Sequence, residues 1–209
     1  MSKTRIKFCG MTRLEDVRLA VALEVDFIGL IFAQRSKRRL DVAQAQTLRA
    51  AVLGPTAAVA LLMNQTEAEV AHIAAALQPD YLQFHGDEDD AFCAHFGLPF
   101  FKAIAMRGDV DPLLEMERFP SAYGFVLDGH GVGEAGGSGQ RFDWKRLPAQ
   151  TARPILLAGG VGPENVGEAI STAHPWGVDA ASGIESAPGI KDARAMRQFV
   201  AAARQDQVR

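Results

Sequence analysis

The sequence predicts an α/β fold: a single-domain (β/α)8 (TIM) barrel with short loops spanning residues 1–209. Three observations lead there. Apolar, β-branched runs recur along the chain, each followed by an Ala/Leu-rich stretch of helical periodicity. The repeat is about 26 residues, so the chain holds eight units and leaves little length for connections. The runs are also continuously apolar rather than alternating, as in a parallel sheet covered on its faces by crossover helices. An open doubly wound sheet competes for the same pattern, but eight units suffice to close a barrel.

In chain order, the first strand is 5–9, Arg-Ile-Lys-Phe-Cys, followed by a helix at 13–23. The second strand, 25–32, carries Ile28, Leu30 and Ile31 and leads to a helix at 41–52. Strands at 56–62, 81–84 and 100–105 alternate with helices at 67–77, 87–96 and 112–119. The sixth strand, 123–127, is followed by a Gly-rich loop at 129–139 and a short helix at 144–147. Strands at 154–158 and 177–181 precede helices at 163–172 and 192–204. No linker or low-complexity tract interrupts this alternation.

Composition narrows the function classes. With 48% hydrophobic and 22% charged residues the chain buries a sizeable core, which excludes disorder as its dominant state. Twenty-five acidic against 22 basic residues argue against a nucleic-acid binder or a membrane-surface protein. Cys9 and Cys93 are too few for a disulfide framework or a structural zinc site. Lys3, Arg5 and Lys7 break the first apolar run, and no apolar stretch reaches the roughly 18 residues a membrane helix needs. The expected compartment is the cytoplasm.

In a barrel, chemistry sits at the carboxyl ends of the strands. Those ends read Cys9-Gly10, Phe32, Asn64, His85-Gly86, Ala105-Met106, Asp128-Gly129, Gly159-Gly160 and Ser182-Gly183. Cys9 is either a buried structural residue or a general base, whose thiol pKa of about 8.5 can be lowered by its surroundings. Asp128, after three apolar residues, either caps a turn or projects into the site as a general acid with a raised pKa. The glycine loops at Gly159-Gly160 and Ser182-Gly183 follow strands seven and eight, the usual phosphate position in such barrels. The basic run Arg35-Ser36-Lys37-Arg38-Arg39 is a solvated loop or holds a guanidinium that grips a carboxylate bidentately. His85 contacts substrate or holds its loop. Cys93 lies on a helix and is expected to pack.

Only His85 and Asp128 qualify clearly as metal ligands at the strand ends, so no metal site is expected. Cys9-Gly10-Met11-Thr12 lacks the glycine spacing of a dinucleotide fingerprint. The inventory favours cofactor-free proton transfer on a small, phosphorylated substrate.

These residues resemble the phosphoribosylanthranilate isomerase family of tryptophan biosynthesis over essentially the whole chain. The resemblance is carried by Ile6-Lys7-Phe8-Cys9-Gly10-Met11-Thr12, Phe32 with Ser36-Lys37-Arg38, Gln83-Phe84-His85-Gly86-Asp87 and Leu127-Asp128. It continues through Gly136-Gly137-Ser138-Gly139-Gln140-Arg141-Phe142-Asp143-Trp144 and Leu157-Ala158-Gly159-Gly160-Val161-Gly162-Pro163-Glu164-Asn165-Val166. It ends with Asp179, Ser182-Gly183-Ile184-Glu185 and Gly189-Ile190-Lys191-Asp192.

The resemblance implies an Amadori rearrangement without cofactor. Cys9 would be the general base, Asp128 the general acid and Arg38 the residue holding the anthranilate carboxylate. It likewise implies that Gly159, Gly160, Ser182 and Gly183 hold the phosphate, with His85 and Asp179 among the substrate-binding residues. The expected partner is a substrate carrying phosphate and carboxylate, bound by a monomer or homodimer. Ala181 departs from the family's usual pair of serines before Gly183, and 129–135 is idiosyncratic. A related isomerase of histidine biosynthesis is the nearest alternative, but it would be expected to present an aspartate where Cys9 stands. A non-catalytic barrel would be expected to have lost Cys9 or Asp128.

Overall fold

The computed structural model describes residues 3–129, 142–148 and 151–205. Eight strands close a barrel in chain order: β1 (Arg5–Cys9), β2 (Phe27–Ile31), β3 (Ala57–Leu62), β4 (Tyr81–Phe84), β5 (Phe100–Ala105), β6 (Gly124–Asp128), β7 (Ile155–Leu157) and β8 (Gly177–Ala180). Neighbours pair in parallel, and β8 returns to β1 with Asp179 opposite Lys7. Helices α1 (Leu14–Ala22), α2 (Val42–Arg49), α3 (Glu67–Leu77), α4 (Asp90–Ala94), α5 (Pro112–Glu117), α6 (Val166–Ala173) and α7 (Ala193–Gln205) lie between or after the strands.

Alternation along each strand divides the apolar residues into two layers. Phe27, Val59, Phe101, Val126 and Leu156 fill the barrel interior. Ile6, Phe8, Ile28 and Leu30 face outward and pack under the helices, with the Phe8 and Phe199 rings edge-on at 5.5 Å. Several helix starts are fixed by side chains: Asp41 and Thr66 form capping boxes with Gln44 and Glu69, and Asp89 caps α4. These satisfy amides that a helix cannot bond internally.

Beside shifts of one to three residues at other element ends, such as α2 ending at Arg49 rather than 52, four differences from the sequence expectation bear on the site. Helix α4 starts at Asp90 rather than 87 because the Glu88 carboxylate is turned into the preceding loop. There it accepts from Asn64 N (2.7 Å), Gly86 N (2.9 Å) and Lys102 Nζ (3.0 Å). Helix α6 starts at Val166 rather than 163, since Asn165 folds back on the glycine loop, accepting from Gly162 N (2.9 Å) and donating to Gly160 O (3.0 Å). Among the described residues between β6 and β7, the regular structure is a 3-10 turn, Trp144–Arg146. The Gly136–Arg141 part of the family motif and most of the 129–139 loop lie outside the described residues. Finally, β9 (Glu185–Ala187) and β10 (Ile190–Lys191) form a small antiparallel hairpin between β8 and α7, which the strand–helix alternation does not foretell.

Candidate active site

A cavity opens at the carboxyl ends of the barrel strands, where small-molecule sites of such barrels lie. It is lined by all nine residues singled out from the sequence: Cys9, Arg38, His85, Asp128, Gly159, Gly160, Asp179, Ser182 and Gly183. They come from six different strand ends or following loops, which is why no local motif contains them together.

Cys9 is the last residue of β1, and inward alternation buries its thiol at the cavity floor. Gly29, opposite it on β2, makes room: a Cβ there would stand 2.7 Å from Cys9 Sγ. The surroundings do not lower the thiol pKa, as the sequence reading anticipated. Burial pushes it up, and Lys7 and Lys191 only partly offset that effect, while Asp179 adds to it.

Beneath Cys9 the barrel interior holds an ion pair that sequence reasoning passed over. Lys7 Nζ donates to Asp179 Oδ2 at 2.7 Å, with the lysine entirely buried. Burial opposes the Lys7 charge, but Asp179 and Cys9 outweigh it and hold the ammonium above its ordinary range. The signal was available in strand periodicity, which puts Lys7 and Cys9 on the same inner face.

Arg38 does make a bidentate grip on a carboxylate, but here the carboxylate is internal. Its Nε and Nη2 donate to Glu185 Oε1 and Oε2 at 2.7 and 2.6 Å. A guanidinium has five donors, and Glu185 takes two of them. Glu185 also accepts from Lys191 Nζ (2.8 Å) and Gly189 N (3.2 Å). The same Lys191 ammonium donates to Cys9 O (2.6 Å) and Ala181 O (3.0 Å). Two cations thus share one anion, leaving one positive charge beside the cavity. Burial opposes the Glu185 charge, yet Arg38 and Lys191 prevail and hold its carboxyl below the ordinary range.

Across the mouth, Asp128 ends β6 and is buried with the cavity on one side. His85 follows β4, its backbone N donating to Leu62 O (2.9 Å) and its Nε2 lying 2.5 Å from Gln83 Nε2. The two glycine loops meet backbone to backbone. Gly159 and Gly160 both have positive φ (84° and 64°), which glycine adopts without strain. A Cβ on Gly183 would strike Val161 O. Ser182–Ile184 forms a 3-10 turn whose first amides have no partner within the turn itself. Among the described residues, no three His, Cys, Asp or Glu side chains converge as a metal set requires.

A closed eight-stranded barrel with a carboxyl group, a thiol and two glycine loops around one cavity at the strand ends is the layout of a barrel enzyme. A family model described as N-(5'phosphoribosyl)anthranilate (PRA) isomerase matches residues 6–202. The N-(5'-phosphoribosyl)anthranilate isomerase of Stenotrophomonas maltophilia (strain R551-3) is 50% identical over 200 residues, covering 95% of this chain and 92% of that protein. Among solved structures, phosphoribosyl anthranilate isomerase from Thermus thermophilus superposes with a TM-score of 0.85 at 34% identity, covering 99% of this chain and 100% of the other. A phosphoribosyl anthranilate isomerase in complex with reduced 1-(o-carboxyphenylamino)-1-deoxyribulose 5-phosphate matches with a TM-score of 0.78 at 27% identity, covering 96% and 98%. The chain belongs to the N-(5'-phosphoribosyl)anthranilate isomerase family.

Proposed function

We propose that this chain, as one catalytic domain, converts N-(5-phosphoribosyl)anthranilate into 1-(2-carboxyphenylamino)-1-deoxyribulose 5-phosphate. The observation that carries the reading is the single cavity that brings Cys9, Asp128, Arg38 and both glycine loops together. The substrate is a phosphate at one end and a benzoate at the other, with the reacting sugar between. The amides of the glycine loops take the phosphate. Arg38, already held by Glu185, turns its remaining donors to the benzoate carboxylate. Asp179 and His85 border the sugar.

Asp128, protonated, gives its proton to the furanose ring oxygen. The bond between C1 and that oxygen breaks, and the nitrogen lone pair forms a C1–N iminium ion. Cys9 thiolate then takes the proton from C2, which the iminium has acidified. The C2–H electrons become the C1–C2 double bond of an enolamine, and tautomerisation gives the ketone. One proton leaves Asp128 and one arrives at Cys9, so no redox partner or cofactor enters. Each positioned proton transfer contributes about 10²–10⁴-fold, and holding both ends of the substrate supplies proximity. The protein works in the cytoplasm as a monomer or homodimer, with no nucleic-acid partner. Among the described residues, no helix is long and apolar enough to cross a membrane.

The test is an assay with freshly made phosphoribosylanthranilate, following fluorescence loss above its spontaneous decay. Wild type should be active, with Cys9→Ser and Asp128→Asn each lowering kcat by at least 100-fold at nearly unchanged KM. Normal turnover by either variant would remove that residue from its role.

A further inference from the structure

Lys7 is a costly residue in its place. The interior of β1 faces Val59, Phe101, Val126 and Leu156, and an apolar side chain would fill that layer without desolvating a charge. Buried ion pairs are seldom a net gain in stability over apolar residues of similar volume, so the Lys7–Asp179 pair needs another explanation. Its surroundings supply one. Lys7 and Cys9 lie two residues apart on the inner face of β1, and the fully buried ammonium, held by Asp179 at 2.7 Å, lies in the interior beneath the thiol. A thiol sulfur is a weak acceptor from an ammonium, whereas a thiolate is a strong, charge-assisted one.

We propose that Lys7 is a positioning residue for the reaction: anchored on Asp179, its ammonium is aimed at Cys9 Sγ and stabilises the thiolate that removes the substrate proton. The proposal rests on the reading of Cys9 as the general base. The other charges around the thiol are accounted for. Lys191 is committed to Cys9 O, Ala181 O and Glu185, and Arg38 to Glu185. Asp179 opposes the thiolate, and Asp128 and His85 line the far walls of the same cavity. Lys7 is the cation that shares the inner face of β1 with Cys9. Gly29 completes the arrangement by letting the sulfur lie against β2 without displacement from the ammonium. Lys7 keeps its proton throughout; the proton lost by the thiol in the free enzyme goes to water in the open cavity.

The experiment measures the iodoacetamide alkylation rate of Cys9 against pH, by peptide mass spectrometry, in wild type, Lys7→Met, Lys7→Gln and Lys7→Arg. These rates are set beside kcat and KM profiles on the same preparations. In Lys7→Met and Lys7→Gln, Cys9 alkylation at pH 8 should fall at least tenfold. The rising limb of kcat should move to higher pH by the same amount, with KM within about threefold of wild type. Lys7→Arg should recover part of both. If Lys7→Met does not fold, Lys7→Gln, which keeps a hydrogen-bond donor towards Asp179, carries the same expectation. A folded neutral variant with the wild-type alkylation profile overturns the proposal, as does a shifted alkylation profile with unshifted kcat. Failure of the underlying reading would look different: Cys9→Ser would be fully active, while the alkylation data would still report the Lys7–Cys9 coupling.

Discussion

At Cys9, burial and charge oppose each other. Desolvation favours the neutral thiol, so at neutral pH only a small fraction is ionised, and activity should climb on the alkaline side as the thiolate fraction grows. Cys93 provides the control: burial pushes its thiol to about 12. Because Cys9 lines the cavity and Cys93 does not, alkylation should mark Cys9 before Cys93, with a phosphorylated substrate analogue protecting Cys9. Equal rates under native conditions would contradict this picture. The acid, thiol and guanidinium were legible in the sequence because each ends an apolar run or sits in a charged one. Lys7 was legible only as far as periodicity puts it on the same inner face as Cys9, and Gly29 was not. Lys7 reads as an interruption of the first apolar run, and Gly29 as a small residue in β2. Their meaning exists only across the barrel, in the register of β1 with its two neighbours.

The eight strands and most helices follow from periodicity, and their order alone places the glycine loops after β7 and β8. The hairpin β9–β10 was illegible because it is too short for a periodic signal and interrupts an expected loop-to-helix step. It nevertheless carries Glu185 and Lys191, which connect the Arg38 loop to the ends of β1 and β8. Glu185→Gln should loosen all three: roughly tenfold higher KM, a smaller change in kcat and about 1–3 kcal/mol lower stability in urea unfolding. An unchanged KM would mean that Arg38 holds its place without Glu185. In the glycine loops proposed to hold the phosphate, Gly183→Ala drives a methyl against Val161 O and should raise KM several-fold. Ala181→Ser should change affinity only modestly, because backbone amides dominate there. A sulfate soak that left these loops empty while filling another site would contradict that assignment.

Over the whole molecule, the buried thiols give stability a pH dependence with a definite sign. The folded chain keeps Cys93 protonated to about 12, whereas an unfolded thiol ionises near its ordinary 9.0. The unfolded state thus binds fewer protons in that interval, and stability falls as pH rises through it. The urea midpoint should decline from pH 9 upward. Cys93→Ala should start lower, from lost packing, yet decline less steeply. Parallel slopes would show that Cys93 contributes nothing to the dependence.

The Lys191 bond to Cys9 O joins residues 182 positions apart, and Arg38 meets Glu185 across 147. Contacts of such separation have high loop-closure entropy and form late, and during synthesis the N-terminal units emerge first. A nascent chain halted short of the hairpin can hold secondary structure in its early units, yet it lacks the latch that sets the catalytic mouth. Assembly order thereby makes competence the last property the chain acquires. In refolding from urea, far-ultraviolet dichroism should recover ahead of turnover, with the lag lengthened by Glu185→Gln.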